Sequence, residues 1–217
     1  MNLIILFCLL FTIILKYGDS AAFNTATGKE NEMVLPEIVG NKFLYFGFGS
    51  NLLLKRIRIQ NKTAVRKNIG KLKDYELDFY TNSTRWQGAP ATIVPRLEKT
   101  VWGAVWEIDL NHMDDLDKQE GVDQGVYIPI SVPIETPDGQ TLICRAYRLT
   151  KLPPELRENE PIPFDRQPSS TYLKTIIKGA IESGLPEKYI EFLKHFKHNG
   201  NTVESIEKDL ELSEIVI

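Results

Sequence analysis

The chain is predicted to be an α+β protein. Three observations carry this: aromatic and β-branched runs fall between residues 42 and 149, a Pro137-Asp138-Gly139 turn separates the last two runs, and helical patterns gather late. Strands first and helices afterwards favour α+β over alternating α/β. No internal repeat is present, and 217 residues fit one domain or at most two small ones.

The first element is apolar. Leu3 to Leu15 form a 13-residue run, short for a bilayer span but suited to the core of a signal peptide. Small residues follow and suit cleavage after Ser20 or Ala22. No Lys or Arg precedes the run and Lys16 follows it, so a membrane-anchored form is the alternative. The expectation is a secretory signal over residues 1–20, a polar segment over 21–40 and one domain over 41–217, with no stable membrane insertion after cleavage. Asn61-Lys62-Thr63 and Asn82-Ser83-Thr84 are glycosylation sequons, which gain meaning only in the secretory pathway. Of the two cysteines, Cys8 leaves with the signal. Cys144 then has no internal partner, an unusual economy for a secreted protein.

The next element reads FLYFGFGSNL, residues 43–52. Its aromatics favour a strand over about 42–47. Gly47 and Gly49 allow a sharp turn or a close approach to a ligand, and Ser50 or Asn51 can cap a helix starting at about 51. A helix start offers N–H groups to an anion or a polarised carbonyl. Strands are then expected at 75–80, 101–108, 126–135 and 141–149, the last two as a hairpin. Helices are expected at about 109–120, 170–183, 186–198 and 202–211. Residues 152–169 hold five prolines and read as a long loop, either functional or poorly ordered.

Composition excludes more than it assigns. Net charge is −3, with 42% hydrophobic and 25% charged residues, so no nucleic-acid partner is expected. Lys and Arg scattered between Lys55 and Lys73 read as a solvated face. His195 and His198 lack a third ligand, and no metal site is expected. His112 is expected to face solvent. Ser50 is not in a Gly-x-Ser-x-Gly elbow, and Gly47-x-Gly49 lacks the third glycine of a dinucleotide fingerprint. Cys144, alternating with Leu142 and Ala146, reads as a small buried hydrophobe.

Glu120 is the most informative residue. On a helix over 109–120, Leu110, Met113 and Leu116 form the apolar stripe, and Glu120 projects between Met113 and Leu116. It faces the core from the last turn, beside Gly121, where the helix dipole disfavours a carboxylate by up to ~1 kcal/mol. Burial there raises a carboxyl pKa. Either it serves a site, or it pairs with a buried Arg such as Arg145, or the helix end frays to solvent.

Five segments occur in one order: YFGFGSNL, VWGAVW at 101–106, LDKQEGVDQGVY at 116–127, CRAY at 144–147 and STYLKTIIKGAIESGLP at 170–186. Together, from about Phe43 to Pro186, they resemble the γ-glutamylcyclotransferase family. The resemblance implies a small mixed β-barrel flanked by helices, commonly a homodimer, with no metal or organic cofactor. It implies conversion of small γ-glutamyl amino acids or dipeptides into 5-oxoproline and a free amino acid. The family's acid/base falls on Glu120, and its substrate loop falls on Tyr45, Phe46, Gly47, Phe48, Gly49 and Ser50, with Asn51 next. A substrate-contacting tyrosine falls on Tyr172, and further pocket tyrosines on Tyr127 and Tyr147. Phe48 departs from the family's usual Tyr-Gly-Ser-Asn and removes a hydroxyl. The apparent signal is also a departure for a mainly cytosolic family, and points to a secreted form, of a glandular secretion such as venom or saliva. Alternatives are a related cyclotransferase acting on γ-glutamylamines or glutathione, and a non-catalytic secreted protein that binds γ-glutamyl peptides.

Overall fold

The structure, a computed structural model, describes residues 35–157 and 160–217. The expected signal peptide, its cleavage point, Cys8 and most of the polar segment lie outside the described residues.

Six strands form one sheet: β1 (Ile38–Val39), β2 (Lys42–Gly47), β3 (Val65–Phe79), β4 (Ala91–Asp109), β5 (Tyr127–Glu135) and β6 (Thr141–Leu149). Neighbours run antiparallel in the order β1-β2-β4-β3-β5-β6. A parallel pairing of β2 with β6, Tyr45 opposite Arg145, closes β2 to β6 into a mixed five-stranded barrel. Closure leaves no open barrel edge for another chain to pair with.

Two strands are longer than the sequence suggests. β3 begins at Val65 and β4 at Ala91, and they pair along almost their whole length. The first half of β3 alternates exposed with half-buried residues, so its lysines read as a charged face and hide the strand. Lys71 and Lys73 both meet Glu135 of β5. Gly70 and Gly103 face each other in this ladder. A Cβ on Gly103 would lie 2.6 Å from the Gly47 carbonyl oxygen, so the end of β2 can approach β4 only over glycine.

The helices are α1 (Leu54–Ile57), α2 (Met113–Gln119), α3 (Ser170–Ser183), α4 (Glu187–Lys194) and α5 (Glu204–Asp209). α3 coincides with the expected 170–183. The Ser169 hydroxyl accepts from Tyr172 N at 3.1 Å, a cap that stabilises by ~1 kcal/mol. Gly184, at φ 70°, ends the helix with Leu185 N bonded to Ala180 O. Gly179 sets α3 against the loop after β2, since a Cβ there would be 2.5 Å from Leu53 N. The helix expected from about 51 is shorter than foreseen: a 3₁₀ turn at Ser50–Leu52, then the single turn of α1.

The core joins all five barrel strands to α3, with Trp106, Phe43, Phe46 and Phe79 among its largest members. Cys144 is fully buried there, and burial pushes its thiol up to about 12. His112 is half-buried beside Asp115, at 3.0 Å, rather than facing solvent.

Candidate active site

The chain leaves β2 at Gly47 and turns through Ser50–Leu52, with Leu52 N bonded to Gly49 O at 3.0 Å. Neither Ser50 nor Asn51 caps a helix with its side chain. Asn51 turns inward instead, where its Nδ2 donates to Tyr45 Oη and to Glu120 Oε1, both at 3.0 Å. Two glycines permit this tight path. A Cβ on Gly47 would lie 3.1 Å from Trp106 Nε1, and one on Gly49 would lie 3.1 Å from the Tyr172 hydroxyl.

Glu120 caps the C-terminal end of α2, and Gly121 follows in the left-handed region at φ 66°. Gln119 Nε2 donates to the same Oε1 at 3.0 Å and to Asn51 Oδ1 at 3.2 Å. Asn61, fully buried, donates in turn to Gln119 Oε1 at 3.3 Å. Both side-chain donors thus converge on Oε1, and no donor among the described residues takes Oε2. Burial raises the Glu120 pKa, against the opposing pull of the Arg56 charge and the Gln119 and Asn51 hydrogen bonds.

Four phenols surround this carboxylate. Tyr127 Oη donates to Ala91 O at 2.8 Å, and Tyr172 Oη accepts from Ala91 N at 3.1 Å. Tyr147 donates to Asp117 and accepts from Arg145 Nε at 2.9 Å. Burial holds Tyr45 and Tyr127 far above the ordinary phenol range and Tyr172 at about 12, so all three stay protonated at neutral pH. Arg145 is not the partner of Glu120. It pairs with Asp117 at 2.8 Å and Glu37 at 3.1 Å, and so fixes Tyr147.

Two cavities meet at Glu120. An inner one of about 40 Å³ is lined by Tyr45, Phe48, Gly49, Ser50, Asn51, Ala91, Glu120, Tyr127, Tyr147 and Tyr172. An outer one of about 460 Å³ shares Ser50, Glu120, Tyr127 and Tyr172 with it and adds Arg56, Arg85, Trp86 and Gln119 among others. The arrangement suits proton transfer: a desolvated carboxylate, one oxygen anchored and one free, stands between a small polar chamber and a larger opening.

Comparison with known proteins agrees with this geometry. The γ-glutamylcyclotransferase of Bos taurus is 39% identical over 175 residues, 77% of this chain and 87% of its own length. The chain belongs to the γ-glutamylcyclotransferase family. The Homo sapiens γ-glutamylcyclotransferase is 39% identical over 164 residues, 74% of this chain and 81% of its own length. A solved γ-glutamyl cyclotransferase superposes with a TM-score of 0.70 at 36% identity, covering 78% of this chain and 98% of that one. Residues 100–193 match the AIG2-like family.

For a member of this family, the barrel and its flanking helices are the fold the resemblance implied. The structure gathers Tyr45, Phe48, Gly49, Ser50, Asn51, Glu120, Tyr127, Tyr147 and Tyr172 around the inner cavity. Phe46 and Gly47 do not line it: Phe46 is fully buried in the core, and Gly47 lies against Trp106. Sequence reasoning missed Gln119, Asn61 and Arg56. Asn61 gave no signal beyond its sequon. Arg56 was hidden in a basic run whose other members meet solvent or surface carboxylates.

Proposed function

We propose that the chain is a γ-glutamylcyclotransferase with Glu120 as its general acid/base. The substrate's α-amine nitrogen attacks its own γ-carbonyl carbon, forming the lactam N–C bond. The amide C–N bond to the next residue then breaks. One proton leaves the attacking amine and one reaches the departing amine, so a single group can take and return it. Because the attack is intramolecular, binding the glutamyl chain bent meets much of the entropic cost.

The observation that carries this reading is the environment of Glu120. An ordinary Glu near ~4.3 is mismatched with an α-amine at about 7.7–8 by roughly 3.5 units, or ~5 kcal/mol. Burial narrows the gap by raising the Glu120 pKa, while Asn51 and Gln119 hold one oxygen and leave Oε2 to take the proton. The backbone N–H groups of residues 49–51 and the Tyr172 hydroxyl, whose own proton is not taken by Ala91, would hold the substrate's carboxylate or oxyanion.

Glu120→Gln keeps the shape and removes the base. It is expected to lose several orders of magnitude in 5-oxoproline release from γ-glutamyl-alanine while still binding it by calorimetry. Near-normal release would overturn the assignment.

We further propose secretion, supported by the apolar run Leu3 to Leu15 and the small residues after it. The mature N-terminus recovered from culture medium and from the cell pellet tests this. Of the two sequons, Asn82 is exposed at the outer cavity, whereas Asn61 is fully buried and bonded to Gln119. A glycan therefore fits the folded chain at Asn82 and not at Asn61. Homodimerisation is a family expectation, tested by sedimentation.

A further inference from the structure

The outer cavity carries a charge that the reaction above does not use. Arg56, in α1, is only 5% exposed and lines that cavity. Its Nε and Nη1 have no hydrogen-bond partner among the described residues. Glu120 acts on it through space, without an ion-pair contact. Its guanidinium carbon stands 6.0 Å from the centroid of the buried Trp86 ring, and that of Arg85 stands 5.9 Å from the same ring. Lys118 lines the cavity as well, so among the described residues three cations and one carboxylate line it.

A buried guanidinium without a direct partner is costly, and Glu120, acting without contact, offsets only part of that cost. Burial and the neighbouring Arg85 both pull its pKa down. An anion reaching it would relieve the remaining cost, and the planar fork of arginine matches a carboxylate. Position selects which carboxylate. Glu120 and Tyr127 border both cavities, so a glutamyl group held in the inner one directs the residue to be released into the outer one. In a γ-glutamyl amino acid that residue ends in a free carboxylate. In a γ-glutamylamine it has none.

We propose that Arg56 binds the carboxylate of the departing amino acid, making the outer cavity a subsite that selects γ-glutamyl amino acids over γ-glutamylamines. The proposal rests on the cyclotransferase reading above and adds the recognition of the leaving group. Arg85, exposed at the rim, supplies further positive field.

The test compares γ-glutamyl-alanine with γ-glutamyl-ethylamine, which lacks only the carboxylate. The unaltered protein is expected to favour γ-glutamyl-alanine in kcat/KM by about 10- to 100-fold, the usual worth of a hydrogen-bonded charge contact. In Arg56→Met the preference is expected to collapse to within about threefold, and in Arg56→Lys, which keeps the charge without the fork, to survive in part. No preference in the unaltered protein, or an equal loss on both substrates in Arg56→Met, would overturn the proposal. An equal loss would put Arg56 on the shared glutamyl part or on Glu120.

A binding arm separates this proposal from the reaction. In Glu120→Gln, calorimetry is expected to show γ-glutamyl-alanine binding about 10-fold or more tighter than the ethylamine. Adding Arg56→Met should erase the difference. Arg56-dependent binding without 5-oxoproline release by the unaltered protein would sink the cyclotransferase reading and keep the subsite. Release without Arg56-dependent selectivity would do the reverse.

Discussion

Replacing Gln119 by Leu tests whether the polar relay around Glu120 sets the strength of the base. Gln119 Nε2 supplies one of two side-chain hydrogen bonds to Glu120 Oε1, each at 3.0 Å. Hydrogen bonds to a charged group contribute ~1.5–3 kcal/mol. Removing one disfavours the carboxylate relative to the acid, so the already raised Glu120 pKa climbs further. The base must be ionised to act, so the acid limb of kcat/KM moves to higher pH. Below that limb the variant should lose about 10- to 100-fold, and well above it far less, because a more basic carboxylate is a better proton acceptor. The assay is 5-oxoproline release from γ-glutamyl-alanine across about pH 5 to 9. A loss of equal size at every pH, with the limb unmoved, would refute the reasoning and assign Gln119 to substrate contact. The variant also strands Asn61 Nδ2, whose bond to Gln119 spans 3.3 Å in a fully buried residue. A destabilisation of ~1–3 kcal/mol should therefore accompany the kinetic change.

Phe48→Tyr restores a hydroxyl at a buried position on the inner cavity, packed beside Phe46. It should change KM by about 2- to 10-fold with a smaller effect on kcat; unaltered kinetics would show that the missing hydroxyl does not matter. Glu120→Gln should also stabilise the fold at neutral pH. Burial lifts the folded-state pKa of Glu120 above the ordinary carboxylate value, so the folded chain holds this proton more tightly than the unfolded one. Its favourable contribution is complete below the unfolded value and is lost as pH rises through the folded value. Scanning calorimetry should show a higher Tm for the variant at about pH 8, with the gap closing towards about pH 4. A variant less stable at the higher pH would contradict this account.

Local chemistry was legible where one residue's surroundings decide its state. α3 could be read from its helical pattern, and Glu120 could be read because a carboxylate on an apolar stripe contradicts the pattern around it. The long first half of β3 could not, since one of its faces meets solvent and its lysines answer Glu135 across a ladder far away in sequence. Barrel closure is more distant still, joining Tyr45 to Arg145, and periodicity carries no signal for such a pairing. The partners of Arg145 were hidden too, one of them, Glu37, 108 residues away. The Arg145 charge suggested Glu120, yet Glu37 and Asp117 take it. Asn51 was placed in the right loop for a different reason, since it serves Glu120 rather than a helix start.

What sets this site apart from ordinary buried ion pairing is the separation of Glu120 from Arg56. Both are drawn into one low-dielectric region, and their charges act on each other without a contact. A direct pair would offset more of the burial cost of each. It would also hold the carboxylate in its charged form and leave it too weak a base for an amine. Keeping them apart preserves the raised Glu120 pKa and leaves between them a space whose electrostatics match an amine at one end and a carboxylate at the other. Asn51 and Gln119 enforce the separation by fixing Oε1 from the side of the loop and of α2, and the Trp86 ring flanks Arg56. On the subsite proposed above, a γ-glutamyl amino acid entering the cavity would compensate both charges.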